Sequence, residues 1–495
     1  MLVKKNKYKN LGALALMISI TCFAQIVTLM KSSVVAGIFG TGIEMDAYNF
    51  SNSIVSFLFG FISSSITTIV IPCYVHKKNR NNVDTFITAL YGFILIIVAF
   101  IILFRYPIIK ILSGKSVEFV KISAHILVVL LFSNYFYSIT NITAAHFQCN
   151  SKYNTPKIIN LIFSAIVVWI LIINKDVSIE EYTLIIAIGL VGNFVIDSLF
   201  AIKEGWRYRP CFQIKNREVI EIFRRFLPIV YSSGVYKLSL MVDTIIASRL
   251  DTGKLTVLNY SNQVANMVNT ILIGNLLLYS YPKIVARIKE KGNQKIFWEQ
   301  VVSFHLIVCL IIAGFISVGQ EGIIVLFQHG KFGSDASKSV FLGSLIYIAG
   351  QQINIVRDLI YRYFYAKGDT RTPAGNSVLV SIANIVLSII LVRTIGFYGI
   401  LLGTVGASFL SLIVIMINFK KKIGLEISVR RIIKLLISNI MIMIVTITVI
   451  MIIKINLKIN NNIISILFYG CATVIVFVIF SFIINKNGIK SLKSL

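Results

Sequence analysis

The sequence predicts an all-α polytopic membrane protein of about fourteen transmembrane helices. Three observations carry that prediction. The 495 residues are 57% hydrophobic and only 14% charged, with a mean hydropathy of +0.84. Apolar windows of membrane-crossing length recur from one end of the chain to the other. Lysine and arginine gather in alternate connections between those windows.

Soluble domains carry roughly 25% charged residues, so this chain has too little polar surface to cover itself in water. No stretch of about 100 residues reads as an extramembrane domain of ordinary size. The net charge of +28 does not point to nucleic acid, because the basic residues sit in short loops between apolar runs. Such placement reads as topology signals and contact with anionic lipid. The six cysteines stand singly, without a CxxC pair or metal-like spacing, and read as packed or lipid-facing thiols.

A hydrocarbon core about 30 Å thick needs about 20 helical residues per span. The N-terminus begins with Lys4, Lys5, Lys7 and Lys9, followed by the apolar run Leu11 to Ala24. It resembles a signal peptide, but the run continues past any plausible cleavage point, through Lys31 to Phe39, and is read as a retained first helix. The windows then fall at 11–38, 45–72, 84–107, 120–146, 157–174, 182–202 and 220–248. They continue at 256–284, 300–327, 339–366, 375–393, 398–419, 432–454 and 462–484. An even count places both termini on one side. With the N-terminus inside, 32 of the 48 Lys and Arg residues fall in inner segments, against about nine in outer loops. Both termini are therefore expected in the cytoplasm.

The chain also repeats itself. Val35-Ala36 and Thr41-Gly42 return as Ile246-Ala247 and Thr252-Gly253, Ser51-Asn52 as Ser261-Asn262, and Pro72 as Pro282. Ile108-Ile109 with Gly114-Lys115 returns as Ile323-Ile324 with Gly330-Lys331, and Phe147 with Thr155-Pro156 as Phe364 with Thr372-Pro373. The ordered series implies two pseudo-symmetric six-helix bundles, residues 1–218 and 219–420, followed by a helix pair and tail over 421–495. Six helices return the chain to its starting face. The repeats are thus parallel, an arrangement suited to rocking about a shared central cavity.

Ionisable side chains at membrane depth are costly and need a partner or a wet cavity. Lys31 lies in helix 1 with Gln25 nearly two turns before it, and Asp46 opens helix 2. Helix 7 carries Lys237 and Asp243, and helix 10 carries Arg357, Asp358 and Arg362. Lys31, Lys237 and Arg357 suit a cationic cavity for a phosphate group. Internal ion pairing is the alternative, Lys237 with Asp243 or Arg357 with Asp358, and Arg362 near the cytoplasmic end has the position of a snorkelling side chain. Asp243 lies away from either end of helix 7. Asn384 and Ser388, four apart, share a face of helix 11. Thr404 lies in a stretch of helix 12 with Gly399, Gly403 and Gly406, which permits close packing. These oxygens form a hard-donor set that suits Na⁺, and ordinary interhelical hydrogen bonding would use the same groups.

No enzymatic constellation is present. The histidines are dispersed, and there is no HExxH, GxSxG or Walker A sequence. Direct use of ATP by this chain is thereby excluded, leaving an ion gradient or the membrane potential as drive. The residues fit a transporter that carries no cofactor beyond the Na⁺ under consideration.

Several runs resemble the MurJ (MviN) lipid II flippases. They are Val34 to Gly42 followed by Met45-Asp46-Ala47-Tyr48, Val242 to Ser248 followed by Leu258-Asn259-Tyr260, and Leu326 to Phe332. Phe364-Tyr365-Ala366, the run Gly368-Asp369-Thr370-Arg371-Thr372-Pro373, and Gly399 to Thr404 continue the likeness in order over residues 10–420. The resemblance implies the MOP-exporter, MATE-like fold and a place in the bacterial cell membrane. It also implies flipping of lipid-linked peptidoglycan precursor, lipid II, from the cytoplasmic to the outer leaflet, with cell-wall synthesis proteins as further partners. By position, the family's Na⁺ ligands map onto Asp243, Asn384, Ser388, the Ile400 carbonyl and Thr404.

Departures from the family pattern concern the substrate. The family's cavity arginine in helix 1 corresponds to Lys31, and an earlier one to Gln25. The arginine pair of helix 2 falls at about Phe59 and Gly60, and the arginine of helix 8 at about Gln263, next to Asn262. Gln25, Asp46, Asn262 and Gln263 join the three cations as expected substrate contacts. Either the remaining cations suffice for lipid II, or the chain carries another polyprenyl-linked glycan of capsule, teichoic or O-antigen type. A non-transporting scaffold for cell-wall synthesis is the third reading.

Overall fold

The computed structural model describes residues 2–75, 80–150, 152–213, 215–274, 294–426 and 428–484. Among these the chain is helical with no strand, as expected where lipid leaves every backbone polar group to be satisfied within its own segment. In order come α1 (Leu2–Phe39), α2 (Ile43–Val75), α3 (Arg80–Leu103), α4 (Arg105–Ser113), α5 (Val117–Ser138), α6 (Thr140–Cys149), α7 (Thr155–Ile173) and α8 (Ile179–Lys203). Then follow α9 (Arg217–Ser248), α10 (Lys254–Val268, continued by a π turn Asn269–Gly274), α11 (Gln294–Phe327), α12 (Ser334–Ala366), α13 (Arg371–Ile395), α14 (Phe397–Lys422), α15 (Val429–Asn456) and α16 (Asn462–Ile484).

Eleven described spans are long and apolar enough to cross a membrane, or up to 12 if α9, bent by 42° between Arg217–Pro228 and Ser233–Ser248, is one more. Pro228 lies at that bend and removes a backbone donor. The expected count of fourteen is thus not reached among the described residues. The expected span 45–72 is covered by α2, while 256–284 begins as α10 and its remainder, with Pro282, lies outside the described residues. The basic segment 486–493 and most of 77–80 and 283–295 lie outside them too. Ile96, Trp169, Ile188 and Ile483 are 64–71% exposed, the expected state of side chains that face lipid.

The chain divides into two compact units, Met1–Thr256 and Val257–Leu495. In the first, α2 is the central helix and packs on α5, α6, α8 and α9. The Ser51 hydroxyl donates to the Ser123 carbonyl at 2.9 Å, tying α2 to α5. In the second, α11 packs on α12, α15 and α16, and α13 lies closely against α14. Its core gathers Phe297, Trp298, Tyr363 and Phe364 around Phe419, with ring centroids 5.0–6.1 Å from it. Lys454 of α15 pairs with Glu321 of α11 at 2.6 Å, so this charge in an apolar helix is compensated.

Repeated sequence pairs take the same local geometry. Gly114 and Gly330 both adopt the left-handed conformation, at φ 62° and 57°. The Phe147 carbonyl accepts the Lys152 amide at 2.8 Å, and the Phe364 carbonyl accepts the Asp369 amide at 3.0 Å, the same six-to-one closure of a helix end. In both places Thr-Pro then opens the next helix, where proline costs no intrahelical hydrogen bond.

The Asp369 to Pro373 run is legible as a helix start. Asp369 accepts the Thr372 amide at 3.0 Å and the Thr372 hydroxyl at 2.6 Å, and pairs with Lys422 of α14 at 3.2 Å. These donors, Thr372 first and Lys422 after it, hold the carboxyl at about 2, below its ordinary value of 3.8. The stabilisation is complete above the ordinary value and disappears as pH falls through the folded one. Asp369→Asn is expected to cost about 1 kcal/mol at neutral pH, mostly as a lost helix-terminal bond, since Lys422 is largely solvated. In unfolding of the purified protein, the wild-type to variant gap should stay constant above about pH 5 and close on further acidification. A gap independent of pH throughout would contradict the assignment.

Candidate functional site

Lys31 sits on α1, half-buried within a span. Among the described residues it belongs to no ion pair. A lysine of this kind is held at depth only if water or an anionic ligand reaches its ammonium group. Gln25 points elsewhere, as its spacing from Lys31 on a helix dictates. It lines a cavity of about 360 Å³ inside the first unit, together with Lys157 and Asp197.

Lys237 lies on α9 where that helix packs on α2. A Cβ added at Gly60 would stand 2.8 Å from the Lys237 Cε and 3.1 Å from its Nζ. The ammonium group of Lys237 therefore occupies the space in which a side chain at position 60 would begin. By the resemblance drawn from the sequence, the family's arginine pair of helix 2 falls at about Phe59 and Gly60. A cation from α9 stands beside α2 at this position, and a side chain there would have to displace the lysine end.

Asp46 is engaged in a different way. Its carboxylate accepts the Gly253 amide at 2.6 Å, the Thr256 amide at 2.9 Å and the Thr256 hydroxyl at 2.6 Å. These two amides are the donors that a capping box would satisfy at the start of α10. The preceding residue cannot do so, because Gly253 has φ +91° and a Cβ there would stand 2.8 Å from the Thr41 carbonyl. The cap is supplied from α2 instead. The turn is further tied by Lys115, which donates to the Leu250 carbonyl at 2.6 Å, and by Arg249, which reaches the Ile111 and Leu112 carbonyls at 3.3 Å.

In the second unit, Arg357 donates to its neighbour Asp358 at 3.1 and 3.2 Å and lies over the Tyr361 ring at 5.7 Å. Its charge is therefore partly balanced on its own helix. Asn262 is half-buried and accepts from Asn266 at 2.7 Å, and Gln263 beside it is half-buried too.

The oxygen donors of α13 and α14 converge. Ser388 Oγ lies 3.3 Å from Asn384 Oδ1 and 3.5 Å from the Ile400 carbonyl, which also accepts from Thr404 Oγ1 at 3.2 Å. Asn384, Ser388 and Ile400 are at most 3% exposed. A Cβ on Gly403 would stand 2.8 Å from Ser388 Oγ, so glycine permits the approach. Four neutral oxygens of this kind fit a hard monovalent cation, and in this geometry they also hydrogen-bond one another. Asp243, 4% exposed on α9, belongs to the first unit.

A family model described as "Lipid II flippase MurJ" matches residues 35–471. A probable lipid II flippase MurJ from Borreliella burgdorferi is 20% identical over 447 residues, covering 88% of either chain. One from Synechocystis is 22% identical, covering 82% of this chain and 80% of its own. A third, from Vibrio cholerae, is 25% identical over 229 residues, and the matched stretch spans 43% of that relative's length. Among solved structures, a lipid II flippase MurJ in an inward closed conformation matches with a TM-score of 0.79 at 20% identity, over 96% of this chain and 100% of that one. An inward-facing MATE family multidrug transporter of the MOP superfamily matches with a TM-score of 0.62 at 14% identity, over 83% and 95%. At such identities the structures establish a shared MOP-type fold.

Proposed function

Because the chain belongs to the lipid II flippase MurJ family, we propose that it carries lipid II from the cytoplasmic to the outer leaflet by alternating access. It acts on this reading as a transporter and not as an enzyme, with both termini in the cytoplasm. The observation that carries the reading within the family is Lys31, a half-buried cation in an apolar span that no described carboxylate balances. A pyrophosphate group suits such a position, since lysine supplies a compact charge with three donors. Lys237 in its seat at Gly60 is the second cation proposed for the headgroup, and Arg357 the third. Gln25, Asn262 and Gln263 are proposed as neutral contacts to the glycan or peptide, and Asp46 as a group that positions the turn after α9. The helix pair α15 and α16 is proposed to help hold the polyprenyl tail in lipid. Na⁺, held by Asn384, Ser388, Ile400 and Thr404, is proposed to reset the empty carrier.

The decisive test is a leaflet-resolved assay of lipid II in cells depleted of this protein. Accumulation of lipid II in the inner leaflet is expected, and unchanged distribution would refute the proposal. Phe59, Gly60 and Gln263, at about the positions where the resemblance implies arginine, favour one second reading. The carried lipid would then be another polyprenyl-linked glycan. Failure to complement a strain that lacks its own lipid II flippase, with normal membrane insertion, would select that reading.

A further inference from the structure

The first unit contains a cavity of about 360 Å³ in which Gln25 is the one proposed headgroup contact and whose buried carboxylate that proposal leaves unexplained. Its wall is built from α1, α7, α8 and the junction of α5 with α6. On α8, Asn193 and Asp197 are four residues apart and so share one face, and Lys157 and Asn160 do the same on α7. Tyr137 and Gln25 complete the polar lining that matters here.

Asp197 is the unexplained group. It is 1% exposed. One carboxylate oxygen accepts the Thr143 hydroxyl, while the other, Oδ1, is buried without a hydrogen-bond partner. Lys157 lines the same cavity but forms no ion pair with Asp197. An anionic oxygen so placed is costly unless something positive meets it. Besides Lys157, the other polar side chains in the lining are neutral, Asn193, Asn160 and Tyr137 among them. Asn160 donates to the Tyr137 hydroxyl at 2.6 Å and accepts from the Ser164 hydroxyl at 3.3 Å, so it orients the tyrosine, and Tyr137 and Asn193 line the same cavity.

We infer that this cavity is a binding site for a monovalent metal cation, held by Asp197 with the amide oxygen of Asn193 and the hydroxyl oxygen of Tyr137. Hard oxygens select an alkali or alkaline-earth ion over a transition metal. The charge count then selects the monovalent class. One carboxylate and one lysine already sum to zero, so a dication would leave the buried cavity strongly positive. The site is distinct from the oxygen set of α13 and α14, and it does not depend on which lipid is carried.

The test is equilibrium binding of radioactive Na⁺ to the purified full-length protein in detergent, with K⁺ and Ca²⁺ as competitors. It is run in an Asn384→Ala background so that the other proposed ion site does not contribute. Saturable binding is expected, displaced by excess Na⁺ or K⁺ but not by equimolar Ca²⁺. Asp197→Asn should weaken it at least about tenfold, a loss of one charge-assisted contact. Lys157→Gln should tighten it several-fold by removing a like charge, an effect that a purely structural cavity would not show. Folding is checked by monodisperse elution. A folded Asp197→Asn protein that binds like its parent would overturn the inference, as would tighter binding of Ca²⁺ or the absence of any saturable binding, which would leave a merely hydrated carboxylate. Should Asp197→Asn not fold, an unchanged affinity in Lys157→Gln overturns it equally.

Discussion

Lys31→Ala is expected to reduce lipid flipping by about 10- to 100-fold, the cost of one charge-assisted contact to a phosphate of roughly 1.5–3 kcal/mol. The same substitution should leave thermal stability unchanged or raise it. No described carboxylate pairs with Lys31, so its removal orphans no buried charge, and an apolar methyl group in a span is better solvated by lipid than an ammonium. Lys31→Arg should retain most activity, because charge is kept. The two readouts separate binding from structure. Loss of transport with intact melting supports a ligand contact. Joint loss of both would mean that Lys31 braces the helix, and full transport by Lys31→Ala would remove the phosphate contact from the mechanism.

Much of the fold was legible because membrane spans are local. The window 462–484 coincides with α16, and the windows 157–174 and 182–202 lie within a few residues of α7 and α8. The splits at Phe104 and Ile139 fall beside polar or helix-breaking residues, Arg105 and Pro107 in the first and Ser138, Thr140 and Asn141 in the second, which hydropathy windows average away. The repeat was legible because Gly114 and Gly330, and the Phe147 and Phe364 turns, need particular residues for their backbone geometry. The pairings around the candidate residues were not legible. Nothing local tells that Asp46 caps a helix that begins 208 positions later, at Lys254, or that Gly60 leaves room for Lys237. Asp197 was missed outright. Its only signal was Asn193 one turn before it, a polar pair within a helix otherwise rich in Ile, Leu and Val.

Asp46→Ala is expected to be the most destabilising of these substitutions, by on the order of 3–5 kcal/mol. Three donors would lose their acceptor together. They are the Gly253 amide, the Thr256 amide and the Thr256 hydroxyl, all in residues with little or no solvent contact. Each unsatisfied buried donor costs roughly 1–3 kcal/mol, and the carboxylate also loses its favourable place at the positive end of α10. No neighbour can substitute. Asn49 donates to Thr256 and offers the two amides no acceptor from that bond, and Gly253 has no side chain and no room for one. Lys115 and Arg249 still hold the turn to the end of α4, so the expected outcome is a loosened turn in a protein that folds. Asp46→Asn should fall between wild type and alanine, because an amide keeps one acceptor oxygen but presents hydrogens where a second is needed. Melting of the three purified proteins in the same detergent, with protease sensitivity of the 249–256 turn as the local readout, checks the order. If alanine and asparagine were equally mild, the three bonds to Asp46 would contribute little, and the turn would owe its shape to Lys115 and Arg249.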